Sequence, residues 1–325
     1  MRYLVNDCTD ACRNMAFDEF ALESLPLDEP VFYLWRNAPS VIIGLNQSAY
    51  AEVNLPYLQG HGIALARRVT GGGAVYHDLQ NLNYTIVGKS RDLNADYPDY
   101  LRFMVNALRQ LGVPAELSGR NDIMVDGRKC SGYAKRVWKD RLMVHGTLMF
   151  DVDLETLREV LSVPGSKMAA SGIASVRSKV ANLREYLSQY SDVLMLKDAL
   201  HSILAGDDME LSLNAGQQEA IDSMADRKFR TWDWIYGKSP EAQFRSSQKF
   251  ACGTVEVCWS VRHGLLEDVR FSGDFIGNLP AERLAARLNG LRYDKAAVFA
   301  ALQDARVQEF FDGLDAKDLA GLLYS

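Results

Sequence analysis

Residues 67–78 read RRVTGGGAVYHD: two arginines, a threonine, three adjacent glycines and a short run ending in His77-Asp78. Adjacent glycines let a backbone approach a ligand and reach dihedral angles that side chains forbid. Arg67 and Arg68 stay charged and suit an anion. Read alone, the stretch serves equally well as a tight turn between two strands, because a glycine-rich loop is a weak motif. Four further clusters add to it. Asn81 and Asn83 follow His77-Asp78 at the start of the next strand, and Gly119-Arg120-Asn121-Asp122 sits at a strand entry. Lys139 lies in SGYAKRVWKDRLMVHGTL, between two strands, and SGIASVRSKVANL spans 171–183. Each has a plainer reading: an Asx turn at Asn121-Asp122, a surface lysine at 139, a hydrogen-bonded turn histidine at 77, a flexible loop at 175–178. As a set they hold what the gathering of several negative charges requires: cations and backbone N–H donors placed where charge develops.

These residues need elements to position them. Apolar residues Met15, Ala16, Phe17, Phe20, Ala21, Leu22 and Leu25 predict an amphipathic helix over 13–25. VFYLWR at 31–36 and SVIIG at 40–44 read as strands, with Pro39 and Gly44 as punctuation. GIALARRVT at 62–70 and LNYTIVG at 82–88 read as strands flanking the glycine loop, and residues 98–111 as a helix stopped by Gly112. Asp126-Gly127 is a two-residue hairpin signal. VHGTLMFDV at 144–152 is a further strand, 153–161 a short helix and 166–182 a polar loop. Helices are expected near 192–205 and 215–226, then an irregular aromatic stretch from Thr231 to Phe244. After it, antiparallel strands turn at His263-Gly264, and helices fill 280–290 and the remainder. The expected architecture is α+β: a larger domain of mixed β-sheets flanked by helices over 1–245, and a small α+β domain over 246–325.

The chain has 325 residues, 48% of them apolar and 24% charged, enough for two cores of ordinary soluble composition. No apolar run approaches the ~20 residues of a membrane helix, and MRYLVNDCTDAC lacks the apolar core of a secretory signal. A cytoplasmic location with no membrane partner is the default. The five cysteines are odd in number and form no C-x-x-C pair, which argues against a disulfide framework or a zinc site. A net charge of −6 argues against bulk nucleic-acid binding. Positive charge is nevertheless concentrated: seven Lys/Arg against three Asp/Glu over 119–141, and four against none over 166–184.

In this order and at these spacings, RRVTGGGAVYHD, Asn81, GRNDIMVDGRK, SGYAKRVWKD with HGTL, and GIASVRSKVANL resemble the lipoate–protein ligases of the lipoyl-ligase/biotin-ligase superfamily. The resemblance runs over roughly residues 30–185, and the tail from TWDWIYGKSPEAQF resembles the accessory domain of the longer members. It implies a catalytic domain like those of class II aminoacyl-tRNA synthetases and biotin ligases. It implies two steps: lipoate and Mg-ATP give lipoyl-AMP and pyrophosphate, then the acyl group passes to one lysine of a carrier domain. The carriers implied are apo lipoyl domains of 2-oxoacid dehydrogenase E2 subunits or the glycine cleavage H protein.

By the same resemblance Lys139 matches the catalytic lysine, bridging the lipoyl carbonyl and the α-phosphate. Arg68, Thr70, Gly71, Gly72 and Gly73 match the loop that closes over the acyl-adenylate, and His77 with Asn81 lies near the reacting end. Trp35 would wall the slot for the lipoyl chain. Asn121 and Asp122 match the phosphate side, with Asp122 as the Mg²⁺ carboxylate. Gly172, Ile173, Ser175, Val176, Arg177 and Asn182 match the adenylate loop. Two departures stand out: Gln80 occupies a position where the family often has glycine, and Cys130 precedes Ser131-Gly132. ATP-independent octanoyl or lipoyl transferases of the superfamily use a cysteine nucleophile. That activity is the alternative function, although a buried, inert thiol is the simpler reading of Cys130. The activation loop of biotin ligases is absent, and RRVTGGG stands in its place.

Overall fold

The computed structural model describes residues 1–89, 97–118, 122–161, 166–170, 180–205 and 210–324, with the backbone alone at 97 and 166–170. The chain divides into two compact units. One comprises Met1–Leu45, Gly62–Arg158 and Ser175–Thr231; the other comprises Asn46–His61, Glu159–Ala174 and Trp232–Ser325.

In the first unit the strands are β1 (Arg2–Tyr3), β2 (Val31–Trp35), β3 (Ser40–Ile43), β4 (Ala64–Arg67), β5 (Val75–His77), β6 (Asn81–Lys89), β7 (Ala115–Leu117), β8 (Asp122–Val125), β9 (Arg128–Trp138) and β10 (Arg141–Met149). Seven of them form one mixed sheet in the order β1-β2-β6-β10-β9-β8-β7, and β4-β3-β5 form a second. Side chains alternate across a strand, and β6 uses both of its faces. Leu82, Tyr84 and Ile86 join Phe32, Leu34, Leu142, Val144 and Leu148 in an apolar core with the helices Tyr97–Gln110 and Val193–Ala205. Asn81, Asn83 and Thr85 point the other way. Trp35 lies opposite Asn83, and Tyr33 opposite Thr85. His145, Thr147 and Met149 lie opposite Thr85, Asn83 and Asn81. One face of the sheet is therefore a sealed core and the other a buried polar row.

The helix Ala11–Glu23 packs on this polar face, and its N-cap Asp10 accepts a hydrogen bond from the Arg13 N–H at 2.8 Å. The predicted turn at Asp126-Gly127 joins β8 to β9 with φ of 49° and 71°, the left-handed pair that a tight hairpin needs.

The second unit holds β11 (Ser166–Ala170), β12 (Ala242–Phe250), β13 (Gly253–Arg262) and β14 (Leu265–Gly273) in one antiparallel sheet. The expected turn at His263-Gly264 is present, with φ of 51° and 74°. Helices Ala281–Leu288, Lys295–Asp304 and Ala316–Tyr324 cover the sheet through Leu284, Leu288, Val298, Leu302 and Leu323, with Phe310 and Phe311 from the segment between the last two. Two details differ from expectation. Part of the stretch expected to be polar loop, Ser166–Ala170, is a strand because it finds the free edge of β12. The aromatic stretch holds a π-helical turn at Asp233–Gly237. Among the described residues no helix is long and apolar enough to cross a membrane.

Candidate active site

The glycine loop is built around a buried guanidinium. Arg68 Nε donates to Thr70 Oγ1 at 3.0 Å, and its Nη2 donates to the Gly71 and Gly73 carbonyls at 2.7 and 2.8 Å. Nη1 donates to the Ile42 carbonyl at 3.1 Å. Burial, with the charge of Arg67 adjacent, lowers the Arg68 pKa to about 10, which leaves it charged at neutral pH. The arginine that sequence reading aimed at an anion thus spends most of its donors on shaping the loop. Gly72, at φ 94°, supplies the left-handed turn. A Cβ at Gly44 would fall 2.2 Å from the Gly72 carbonyl oxygen, so the close crossing of loop and β3 requires glycine there as well. A Cβ on Gly71 would meet nothing within 4 Å, so that side of the loop is open.

Thr70 continues into a chain of hydrogen bonds across the polar face. Its Oγ1 lies 2.7 Å from His145 Nε2, and His145 Nδ1 lies 2.7 Å from Asp18 Oδ2. The other oxygen of Asp18 accepts from Tyr33 Oη at 2.5 Å and from Thr85 Oγ1 at 3.0 Å, and Thr85 accepts from Trp35 Nε1 at 2.9 Å. Asp18 and His145 were not singled out from sequence. Their only local signal is an acidic residue set between Phe17 and Phe20 and the histidine of HGTL.

His77 sits beside the Trp35 ring, 6.2 Å between centroids, with Nδ1 3.0 Å from Asn37 Nδ2. Burial, then the charge of Arg68, lowers its pKa to about 3. The imidazole is therefore neutral at physiological pH and cannot store a proton there. Its folded pKa lies below the ordinary 6.5, so the unfolded chain takes up the proton first. The corresponding stability is complete above about pH 6.5 and is lost as pH falls toward about 3. NMR of the His77 ring is expected to show no titration between pH 8 and about 5.

Next to the edge strand β7, at the starts of β8 and β9, Asp122 and Lys129 form an ion pair, Oδ1 to Nζ 2.7 Å, with each side chain 27% exposed. The Asp126-Gly127 turn sets Met124 opposite Lys129, and a bulge at Cys130 then sets Asp122 opposite Gly132. The Lys129 carbonyl accepts from the Ala181 N–H at 2.9 Å, so the end of the 171–183 segment docks here. Asn182 is held close by: its Oδ1 accepts from Val152 N at 3.1 Å and its Nδ2 donates to Val152 O at 2.9 Å. Asn121, Gly172, Ile173, Ser175, Val176 and Arg177 lie outside the described residues.

Lys139 is not brought to this ion pair. It occupies the two-residue turn between β9 and β10 at φ 55°, exposed, and its ammonium stands 5.7 Å from the Trp138 ring. Gly132 is the residue opposite Asp122. Lys139 lies seven residues further along, a distance of about 23 Å at ~3.3 Å per residue. Register therefore separates Lys139 from Asp122 and sets Lys129 beside that carboxylate.

Cys130 is fully buried in the apolar core, its thiol 3.4 Å from the Ile123 carbonyl oxygen. Burial pushes its pKa up to about 12, with Asp122 adding to the rise. Among the described residues no three His, Cys, Asp or Glu side chains gather as a metal cluster. A single carboxylate beside a lysine fits a Mg²⁺ that arrives already bound to phosphate oxygens.

The family described as "Lipoyl protein ligase A/B catalytic domain" matches residues 10–205, and "Bacterial lipoate protein ligase C-terminus" matches 239–323. The chain belongs to the lipoate–protein ligases, and it is an enzyme of that class. It is 36% identical over 323 residues to lipoate–protein ligase 1 of Staphylococcus aureus, covering 98% of each chain. It is 34% identical over 317 residues to the lipoate-protein ligase LplJ of Bacillus subtilis, covering 96% of each. Among solved structures it is similar to a lipoate-protein ligase A bound with ATP, at TM-score 0.62 and 32% identity over 73% of this chain and 98% of that one. A bipartite ligase from Thermoplasma acidophilum, described with its E2 lipoyl domain, gives TM-score 0.62 at 30% identity over 73% and 96%. The α+β architecture of mixed sheets flanked by helices is the one this ligase family uses.

Proposed function

We propose that this ligase activates lipoate with Mg-ATP and passes the lipoyl group to a lysine of an apo lipoyl domain, with Lys129 as the cation at the reacting centre. The Asp122–Lys129 pair at the mouth of a buried polar row is the observation that carries this reading. In the first step a lipoate oxygen attacks the α-phosphorus and pyrophosphate leaves. Negative charge builds on the phosphate oxygens, and an ammonium already in place stabilises it without reorganising. Asp122 would hold Mg²⁺, which offsets phosphate charge when bound. Thr70, Gly71, Gly72 and Gly73, shaped by Arg68, would wrap the acyl chain, with Trp35 as an apolar wall. His77 and Asn81 would face the reacting end, and Asn182 would position the adenylate loop through Val152. The 171–177 residues would contact the adenylate itself. The chemistry is assigned to the part before about residue 245, and 246–325 to an accessory part.

Carrier steering by the 119–141 cations would be modest, because many are engaged within the chain. Arg128 pairs with Glu185 at 2.6 Å and Lys129 with Asp122. Arg136 donates to the Val69 carbonyl at 3.0 Å, and Arg141 to that of Leu25 at 2.8 Å.

The test is the intact mass of an apo lipoyl domain after incubation with the protein and lipoate, with and without Mg-ATP. A lipoyl increment that requires ATP is expected; an increment without ATP, from an octanoyl or lipoyl donor, would favour the transferase. Cys130 decides the thioester variant of that alternative. Cys130→Ala is expected to keep activity within about twofold and to lose about 1 kcal/mol of stability from the missing core sulfur. Loss of transfer in Cys130→Ala with normal folding would return the cysteine to the mechanism.

A further inference from the structure

Among the described residues, the buried polar atoms without a hydrogen-bond partner include His77 Nε2 on β5, and Asn81 Oδ1 and Asn83 Nδ2 on the polar face of β6. Their residues are 3%, 0% and 1% exposed. Interiors pair such groups almost without exception, and each one left unmade costs about 1–3 kcal/mol. The His77 ring stands 6.2 Å from that of Trp35, which lies opposite Asn83, so the orphans border one another through Trp35 and mark the place of a ligand.

Their polarity follows from the network around them. Asn37 Oδ1 accepts from Asn14 Nδ2 at 2.8 Å, so Asn37 Nδ2 is the donor to His77 Nδ1. The imidazole proton then sits on Nε2, which is a donor. Asn81 Nδ2 donates to Asn83 Oδ1 at 2.9 Å. Turning both amides would reverse that bond and still leave one donor and one acceptor. The trio thus offers two donors and one acceptor whichever way the amides are assigned.

Lipoate and an acyl-adenylate present oxygen acceptors near the reacting carbon but no N–H. The adenylate's own donors are its ribose hydroxyls and its base amino group; at the acyl carbon itself, a donor for the orphan acceptor comes with the primary amine. An amine adding to an acyl carbon places an N–H beside a developing C–O⁻, and this is the pattern the trio complements. We infer that the Asn81–Asn83 amide pair, together with His77, forms the subsite for the acceptor lysine in the transfer step. This rests on the function proposed above and adds Asn83 to its machinery. The neutral amine nitrogen forms the C–N bond to the acyl carbon while the C–O bond to AMP breaks. AMP leaves with that electron pair, and the surplus amine proton passes to solvent. His77 Nε2–H and one asparagine N–H hold the acyl oxygen, and the other asparagine carbonyl accepts from the amine. These are positioning contacts, and no proton is taken up by His77.

The experiment measures the two half-reactions separately in Asn83→Ala: lipoate-dependent ATP–pyrophosphate exchange, and transfer from supplied lipoyl-AMP to an apo lipoyl domain. Transfer is expected to fall at least tenfold more than exchange, with the KM for lipoate in exchange shifting less than the transfer kcat. Equal losses in both half-reactions, or no loss in transfer, would overturn the inference. Where Asn83→Ala does not fold, Asn83→Asp, isosteric but without the donor, is read by the same ratio. Failure of wild-type exchange would reject the ligase reading alone, because transfer from supplied lipoyl-AMP still reports on Asn83.

Discussion

Lys129→Ala is expected to lower lipoylation of the carrier by on the order of 10²–10³, the loss typical of removing one preorganised donor from a site of developing charge. Lys139→Ala is expected to stay within about twofold of wild type, as exposed substitutions away from a site do. The contrast follows from strand geometry. Lys129 reaches Asp122 because the two lie on the same face of a hairpin with a two-residue turn, diagonal across the pair. Lys139 sits at the far end of β9, in the next turn. Asp122 also holds the Lys129 ammonium in place, Oδ1 to Nζ 2.7 Å across the hairpin. Single-turnover formation of lipoyl-AMP by the two variants checks this. An inactive Lys139→Ala beside an active Lys129→Ala would sink the assignment.

Asp18→Ala should destabilise the first unit by about 3–5 kcal/mol, the range for stripping one partner from a buried charged network. Asp18 is 1% exposed and takes hydrogen bonds from Tyr33, Thr85 and His145. An alanine leaves three buried groups unpaired, each worth about 1–3 kcal/mol. Such a loss is a large part of the ~5–15 kcal/mol that holds a domain folded. The effect also reaches the glycine loop, since His145 then has no anchor for the contact it makes with Thr70. Asp18→Asn keeps one acceptor oxygen and should cost less. Urea unfolding followed by tryptophan fluorescence, to which Trp35 contributes from within this network, measures both. A loss under about 1 kcal/mol in Asp18→Ala would show that the network relaxes around the gap.

Much of this was legible in the residues themselves, because the deciding physics was local. LNYTIVG reads as a strand, the Asp126-Gly127 and His263-Gly264 pairs mark turns, and three adjacent glycines mark a place where the backbone can come close to a neighbour. The ordered blocks from RRVTGGG to SVRSKVANL were enough to place the family. The tertiary structure decided what distance along the chain conceals. Asp18 and His145 meet across 127 residues, and His145 and Thr70 across 75, through sheet register that no local period encodes. Register also set Lys129, and not Lys139, beside Asp122, and a bulge accompanies the turn of Cys130 into the core. The Arg68 guanidinium closes on its own loop, a contact that its charge and position in the sequence do not announce. Charge and spacing in a sequence name the groups available for chemistry. Strand register and burial settle which of them meet, because a hydrogen bond or ion pair acts over about 3 Å whatever the distance along the chain.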